Sequence, residues 1–494
     1  MESATSGAPR TGFDVLLERA GRARRPFPTR LVGELGRITG PGHVLTRDAD
    51  LAVYARDSWT VPALRVHHGR PLPVADAVVL PGDTAEVAAV MTLLYENDVP
   101  VIPFGGGSGV LGGTLPITGG VIVDVKRLDK VLDINDEGLT ATAQAGIIGT
   151  DFETALGRAG FTWGHFPQST DVGTLGGFIV TRSAGQFSTK YGNIEDILLA
   201  VEAVLPGGAV IRTKTTARSS TGPDIKSMFV GSEGTLGIVT EATVRIHPRP
   251  ERRDTRAYEV EDFADGLEII RRVMRTGLRP AVIRLYDPIE SLHSFKERVT
   301  QGKCVIVFFY QGLGRLVDLE VEVVEETVAA FRHRKLGSEP GWHWYKRRNV
   351  VSGLPEFMTQ GLVVDTLEVA ATWERIPALY RAMIDRMLAV KGIVSASAHS
   401  SHSYSQGTNL YVTFLAFAPD IGTAEALYQS IWDAAMEACL EAGGTIGHHH
   451  GIGLHRAKYM PGEHGPALEV LRRLRSALDP KGLMNPGKLF GKVG

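Results

Sequence analysis

Apolar and polar positions change period several times along this chain, and each change marks an element. The first fifty residues read as a leader with helices near 11–24 and 29–38. From residue 76, DAVVLP is a short strand ending at Pro81. Asp83–Asp98 repeats its apolar residues at helical spacing behind an Asp suited to N-capping. Pro100–Phe104, Val121–Leu128 and Leu139–Ile147 read as strands, and TDFETALGRAG as a helix stopped by Gly160. After an irregular stretch from about 164 to 193, Ile197–Gly208 runs as a strand into a hairpin that returns from Ala209. A short helix and turn begins at Asp224, and Leu236–Pro250 alternates as one long strand ended by prolines.

A second unit starts near residue 256. Strands are expected from Arg256 and at Ala281–Asp287, Lys303–Gly312, Val363–Glu368 and Asn409–Phe417, with helices at Phe263–Gly277, Arg315–His333 and within Thr423–Ala442. That order predicts an antiparallel sheet with helices on one side and a free face able to cover a substrate. The chain then returns to the first unit through GGTIGHHHGIG, a helix near 465–478 and a tail. The expected fold class is α+β: a helical leader over 1–50, a first domain over 51–250, a cap over 251–442, and a histidine loop with C-terminal segment over 443–494.

Composition narrows the function classes. A chain of 494 residues exceeds what one core usually serves, so two or three domains are expected. With 22% charged residues and a net charge of -2, nothing calls for nucleic acid or an anionic membrane as partner. Cys304 and Cys439 both sit in apolar runs and read as buried free thiols; a cysteine-ligated cluster would need more of them. The start lacks an apolar signal core, no run of 18 apolar residues follows, and LFGKVG is not a peroxisomal address, so a cytoplasmic location is expected.

The 57 glycines cluster, and clusters at strand ends imply backbone held against a ligand. VIPFGGGSGVLGG places its glycines directly after a strand, where successive amides can form an anion concavity suited to pyrophosphate. It is neither a Walker A loop nor a Rossmann fingerprint, because Thr114-Leu115-Pro116 follows instead of Lys-Ser/Thr or a helix. Asp171–Asp196 offers small residues, hydroxyls and amides over a length that can wrap a flat heterocycle and its ribityl chain.

PFGGGSG from Pro103, the TLGG–SAG–YGNIED segment and GSEGTLGIVTEA from Gly231 together resemble the FAD-binding domain of the vanillyl-alcohol oxidase/PCMH superfamily, over residues 50 to 490. The resemblance implies two α+β subdomains holding an extended FAD under a cap. It places Gly105, Gly106, Gly107, Ser108 and Gly109 at the pyrophosphate. Asp171, Thr174, Gly177 and Ser183 fall along the flavin and ribityl portion, and Glu233, Gly234, Gly237 and Ile238 complete the nucleotide site. No His or Cys lies between residues 101 and 120, where many members attach FAD, so non-covalent FAD is expected. His165 reads as a packed structural histidine.

His448, His449 and His450 are adjacent, so they cannot all point at one metal without an awkward backbone. HExxH spacing is absent, and no metal is expected. A loop that meets the cofactor ring is favoured over a surface loop. TIGHHHGIGLHRAKYM, SYSQGTNLYVTFLAF and AVIRLYD resemble, more narrowly, the alkylglycerone-phosphate synthase family. That family holds a dihydroxyacetone-phosphate unit as a flavin N5 adduct while a fatty alcohol replaces the acyl group, and homodimers are usual. The resemblance puts the acid–base tyrosine on Tyr411, the key histidines on His449 and His450 with His448 beside them, and the phosphate-binding arginine on Arg284.

One stretch departs from that family. Where it carries a catalytic Arg followed by Asp, SGLPEFM here has Leu354 and Pro355, with Arg347 and Arg348 six or seven residues upstream. A missing cation beside a reduced flavin removes transition-state stabilisation. The leading expectation is therefore an FAD-dependent oxidoreductase acting on the CH–OH group of a small anionic alcohol such as a 2-hydroxy acid, with carboxylate or phosphate as the anion. The alternative is the synthase reaction on a lipid-like substrate.

Overall fold

The computed structural model describes residues 10–350 and 354–491; the side chains of Glu297, Leu354 and Pro355 lie outside that description, as do Ser352 and Gly353 of the SGLPEFM stretch. The first sheet is built from β1 (Val44–Leu45), β2 (Ala77–Val79), β3 (Val101–Phe104) and β4 (Val121–Asp124), in the order β1-β2-β4-β3. β2, β4 and β3 run parallel, as the helical crossover Thr84–Glu96 between β2 and β3 requires. Asp83 caps that helix, its side chain accepting from the Glu86 amide at 2.8 Å, as expected. β4 stops at Asp124, short of the expected Leu128, because the Asp124 carboxylate accepts from the Lys126 amide and turns the chain.

The second sheet uses β5 (Val131–Asn135), β6 (Thr140–Gln144), β8 (Leu198–Val204), β9 (Val210–Arg212) and β10 (Ile238–Arg245), antiparallel in the order β5-β6-β10-β8-β9. β7 (Phe161–Thr162) pairs with β11 (His247–Pro248), so the long strand expected over Leu236–Pro250 breaks into two. The stretch expected to be irregular holds two short helices, Leu175–Thr181 and Ser188–Tyr191. Glycine-rich segments this short do not hold a helix by propensity. Here the Thr174 hydroxyl caps the first by accepting from the Gly177 amide at 3.1 Å, and Phe178 and Ile179 anchor it in the core.

The third sheet has seven antiparallel strands, β12 (Arg252–Val260), β13 (Val282–Tyr286), β14 (Cys304–Gly312), β15 (His333–Gly337), β16 (Leu362–Thr372), β17 (Ile393–Ser400) and β18 (Gly407–Phe417), in the order β15-β12-β14-β13-β17-β18-β16. One face buries Ile283, Leu285, Ile306, Ala398, Val412 and Leu367 in the core that includes the helices Phe263–Arg275, Gly314–Ala329, Ile376–Leu388 and Ile421–Glu441. The expectation that helices cover one side only is corrected. Pro288–Phe295 packs Phe295 on Val305 and Val307, and Glu339–Arg347 packs Trp342 and Trp344 on Val282 and Phe309, both on the opposite face. These two short helices frame that face and leave its middle to the histidine loop. Cys304 and Cys439 are buried and free. Among the described residues no helix is long and apolar enough to cross a membrane.

Candidate active site

Cross-strand pairing sets out the site. Tyr286 pairs with His399, His399 with Tyr411, and Tyr411 with Glu368, so one rung across β13, β17, β18 and β16 points four side chains from the same face. Two residues along lie Arg284 on β13, and the paired Ser397, Thr413 and Thr366. The residues between them, such as Leu285, Ala398, Val412 and Leu367, belong to the core on the other face. The same alternation that fills the core thus loads this face with chemistry.

The histidine loop crosses this face after Thr445 bridges to Ala370 of β16. The Glu368 carboxylate accepts from three successive amides, His448 at 3.2 Å, His449 at 3.0 Å and His450 in a shorter contact. Arg456 closes on the same carboxylate with its two terminal nitrogens at 3.1 and 2.9 Å, and both side chains are fully buried. Three consecutive amides aimed at one anion form a nest, and here the protein fills it with its own carboxylate. Burial opposes the charge on Glu368, yet the Arg456 guanidinium beside it holds it well below the usual carboxylate range. From the opposite side the Glu233 carboxylate accepts from Ile452 at 2.5 Å and Gly453 at 2.8 Å. Gly451 lies at φ +80°, and a Cβ there would meet Glu233 Oε1 at 2.6 Å. Two buried carboxylates, one from each side of the cleft, fix the loop.

That frame brings His448, His449, His450 and Tyr411 together, as expected, and adds His402 and His399. The His448 Nδ1 lies 2.8 Å from His449 Nδ1, and its Nε2 lies 2.7 Å from the Tyr404 hydroxyl, which accepts from Asn193 at 2.9 Å. His402 Nδ1 is 2.8 Å from Ser188 Oγ. Nitrogens of His402, His448 and His449 lie within 4.8 Å of one another. Two histidines of the triplet therefore do converge, with a third from β18's approach loop, which adjacency in sequence did not suggest. Tyr411 accepts from Thr366 Oγ1 at 2.9 Å and stacks on His399 at 4.9 Å. Burial pushes its hydroxyl up to about 12, so it is a neutral donor at pH 7 and not a ready base. Burial also lowers His448 and His449 to about 3 and His450 to about 4, which keeps all three rings neutral.

Arg284 donates from Nε to the Tyr286 hydroxyl at 2.7 Å, and its guanidinium lies 5.5 Å from the Trp344 ring. Among the described residues no carboxylate comes within ion-pair distance of it. Arg347 is exposed, whereas Arg348 is half-buried, stacked on Tyr345 at 4.2 Å, with its carbonyl accepting from Gln186 at 3.0 Å. Arg348 is the one that meets the Asp171–Asp196 segment, through Gln186 and the Phe187 ring.

The two expected cofactor segments meet. A Cβ on Gly106 would lie 1.9 Å from the Val172 carbonyl oxygen, and one on Gly105 would lie 2.4 Å from Thr174 Oγ1. Gly105, Gly106, Gly107, Ser108 and Gly109 are all half-buried. Thr174 and Gly177 form the helix cap described above, and Asp171 accepts from Thr150 Oγ1 at 2.5 Å. Ser183 is bonded to buried His165 at 2.9 Å, the packed role expected of that histidine. Gly234 and Gly237 lie against Pro103 and the Val204 carbonyl, and Ile238 is buried in β10. Along these segments Thr114 Oγ1, Thr170 Oγ1, Gln186 Oε1, Asn193 Oδ1 and Ser232 Oγ are buried with no partner among the described residues. Unspent buried polar atoms are costly, and an extended dinucleotide supplies their partners. The residues present fit FAD.

Sequence reasoning missed Glu368, Arg456, His402 and His399 with its partner Glu290, whose Oε2 lies 2.7 Å from His399 Nδ1. Glu368 carried the clearest signal, a carboxylate inside the apolar strand VVDTLEV.

Comparison with known proteins agrees. The family described as FAD binding domain matches residues 75–214, and FAD linked oxidases, C-terminal domain, matches residues 249–489. An FAD-linked oxidoreductase of Escherichia coli K12 is 33% identical, covering 93% of this chain and 98% of that protein. The glycolate oxidase subunit GlcD of Bacillus subtilis is 28% identical over 93% of this chain and 96% of its own. A solved alkyldihydroxyacetonephosphate synthase superposes with a TM-score of 0.79 at 25% identity, covering 94% of this chain and 86% of that one.

Proposed function

This chain belongs to the FAD-linked oxidase family and is an FAD-dependent enzyme, and from that premise we propose that it oxidises the CH–OH group of a small anionic alcohol, a 2-hydroxy acid being the type. The observation that carries this reading is Arg284. A guanidinium with no carboxylate within ion-pair distance among the described residues shares a sheet face with the tyrosine and histidine cluster. Such a fork matches a carboxylate or phosphate in two-point geometry. FAD, when bound, supplies the hydride acceptor. The chain's own part is to hold the anion at Arg284, to donate to the substrate oxygen from Tyr411 and His449, and to keep water out with the histidine loop.

The test is an anaerobic mixing experiment with two substrate classes. A 2-hydroxy acid is expected to bleach the flavin in one turnover and release the carbonyl product. Arg284→Ala should weaken that binding by about 2–5 kcal/mol while FAD content holds, and Arg284→Lys should recover part, because the fork is lost. An unchanged dissociation constant would remove Arg284 from the site. The second reading is the redox-neutral exchange of an acyl for an alkyl group, favoured by the structural match to the synthase and by Tyr411 beside His449 and His450. Leu354 stands against it, since it cannot donate as the family arginine does. Ether product formed from acyl-dihydroxyacetone phosphate and a fatty alcohol by the unaltered protein would reverse the order of the two readings.

We also infer that FAD is held without a covalent bond. No His or Cys lies between residues 101 and 120, and His165 is committed to Ser183. Acid precipitation of the yellow protein should leave the flavin in the supernatant; colour in the pellet would contradict this.

A further inference from the structure

We propose that His399, oriented by Glu290, takes the substrate hydroxyl proton; this rests on the anionic-alcohol reading above. His399 Nδ1 lies 2.7 Å from Glu290 Oε2. An ionised carboxylate only accepts, so Nδ1 carries the hydrogen and Nε2 keeps the lone pair. Glu290 is itself fixed. Its Oε1 accepts from Thr413 at 3.1 Å, and its amide donates to the capping Asp287 at 2.9 Å.

The other imidazoles lack that arrangement. Both ring nitrogens of His448 are engaged, and His402 is bonded to Ser188. His450 Nδ1 stands 3.8 Å from Glu368, whose charge is already spent on Arg456 and three amides. Among the imidazoles of this cluster, His399 is the one whose carboxylate has no guanidinium closed on it and so can stabilise the imidazolium that proton uptake creates, the logic by which a carboxylate supports a catalytic histidine elsewhere. Its ring stacks on Tyr411 at an angle of 22° on one side and lies 5.7 Å from Tyr286 on the other, and Tyr286 holds Arg284. The base thus stands between the anion anchor and the oxygen donor.

The groups facing His399 are Glu290 from the helix Pro288–Phe295, Arg284 and Tyr286 from β13, Tyr411 and Thr413 from β18, and His449 and His402 across the cleft. Burial and Arg284 favour the neutral ring, and Glu290 opposes them. In the step, the O–H bond breaks and its proton goes to Nε2. The C=O bond forms as the C–H bond breaks, and FAD, when bound, would supply the acceptor for the hydride. Glu290 stays ionised throughout.

The experiment uses the FAD-loaded protein and glycolate as probe, with anaerobic bleaching rates measured from about pH 5 to 9. The wild type should show an acid limb. Glu290→Gln should move that limb to lower pH and lower the plateau, since removing the carboxylate lowers the proton affinity of His399. His399→Gln should abolish the limb and cost about 10²–10⁴-fold in rate, while FAD content and oxalate binding, read from flavin absorbance, are retained. Histidine ¹⁵N spectra give a readout independent of turnover: the signal missing in His399→Gln should belong to the Nδ1–H tautomer. An unmoved limb in Glu290→Gln, or an Nε2–H tautomer, sinks the assignment. If glycolate and other 2-hydroxy acids never bleach the wild type, the anionic-alcohol reading falls and takes this one with it; bleaching with an unmoved limb sinks His399 alone.

Discussion

Arg456→Ala is expected to destabilise the protein by about 3–5 kcal/mol and to release the histidine loop, because it leaves Glu368 charged, buried and short of its partner. Glu368→Ala should do the same from the other side, with three loop amides orphaned in addition. The double variant Glu368→Leu/Arg456→Met separates two effects. Removing both charges takes away the desolvation penalty, so most of the stability should return. The loop should not, because nothing then accepts from His448, His449 and His450. Denaturant midpoints read the first effect, and hydrogen exchange at residues 446–453 reads the second. Full protection of the loop in the double variant would show that packing, and not the carboxylate nest, shapes it. The same pair sets a pH dependence. The folded-state pKa of Glu368 is depressed, so its contribution is complete above the unfolded carboxylate value near 4.3 and is lost only as pH falls through the folded value. Between about pH 7 and 5, Glu368 should therefore leave stability unchanged.

The parts of this fold that were legible in the sequence are those in which local pattern and burial coincide. β14, with CVIVFF, and the helix Phe263–Arg275 carry long runs at one period, and each lies within two residues of its expected bounds. β17 was missed because SASAHS alternates small residues that bury little and so leave a weak stripe. His399 was lost with it. β5 was missed because it is an edge strand with Leu132 turned to solvent. The helices within 164–193 were missed because their caps and packing come from Thr174 and from the core, not from propensity.

The candidate site divides in a similar way. Arg284, Tyr411 and the three histidines could be named from motifs, since each is an unusual residue in a recognisable run. What holds them could not. Glu368 meets Arg456 across 88 residues, and Glu233 meets Gly453 across 220. Only the sheet register and the return of the tail bring those groups together. Glu233, which resemblance places at the nucleotide site, also accepts from the Ile452 and Gly453 amides with its two carboxylate oxygens, a clamp on the histidine loop that no motif announces.

Tyr411→Phe and His449→Ala are each expected to keep FAD and lose about 10²–10⁴-fold in the rate of flavin reduction. Both side chains are half-buried, Tyr411 on the loaded sheet face and His449 on the loop that crosses it. Tyr411→Phe removes one hydroxyl and leaves its ring between His399 and His450, so a loss of rate would report the hydrogen bond and not the packing. The rival account is a metal held by His402, His448 and His449. Ligand economy argues against it. His448 spends both nitrogens on Tyr404 and His449, and His402 spends one on Ser188. Glu368, the carboxylate that holds the loop amides, is closed by Arg456. With those hydrogen bonds kept, two imidazole nitrogens remain, fewer than the three or four protein ligands a zinc site uses. Elemental analysis of the purified protein should therefore find no stoichiometric metal, and dialysis against a chelator should leave the bleaching rate unchanged. A full equivalent of zinc that vanishes in His449→Ala, together with activity lost to chelator and restored by zinc alone, would replace hydrogen bonding by Lewis-acid catalysis at these rings.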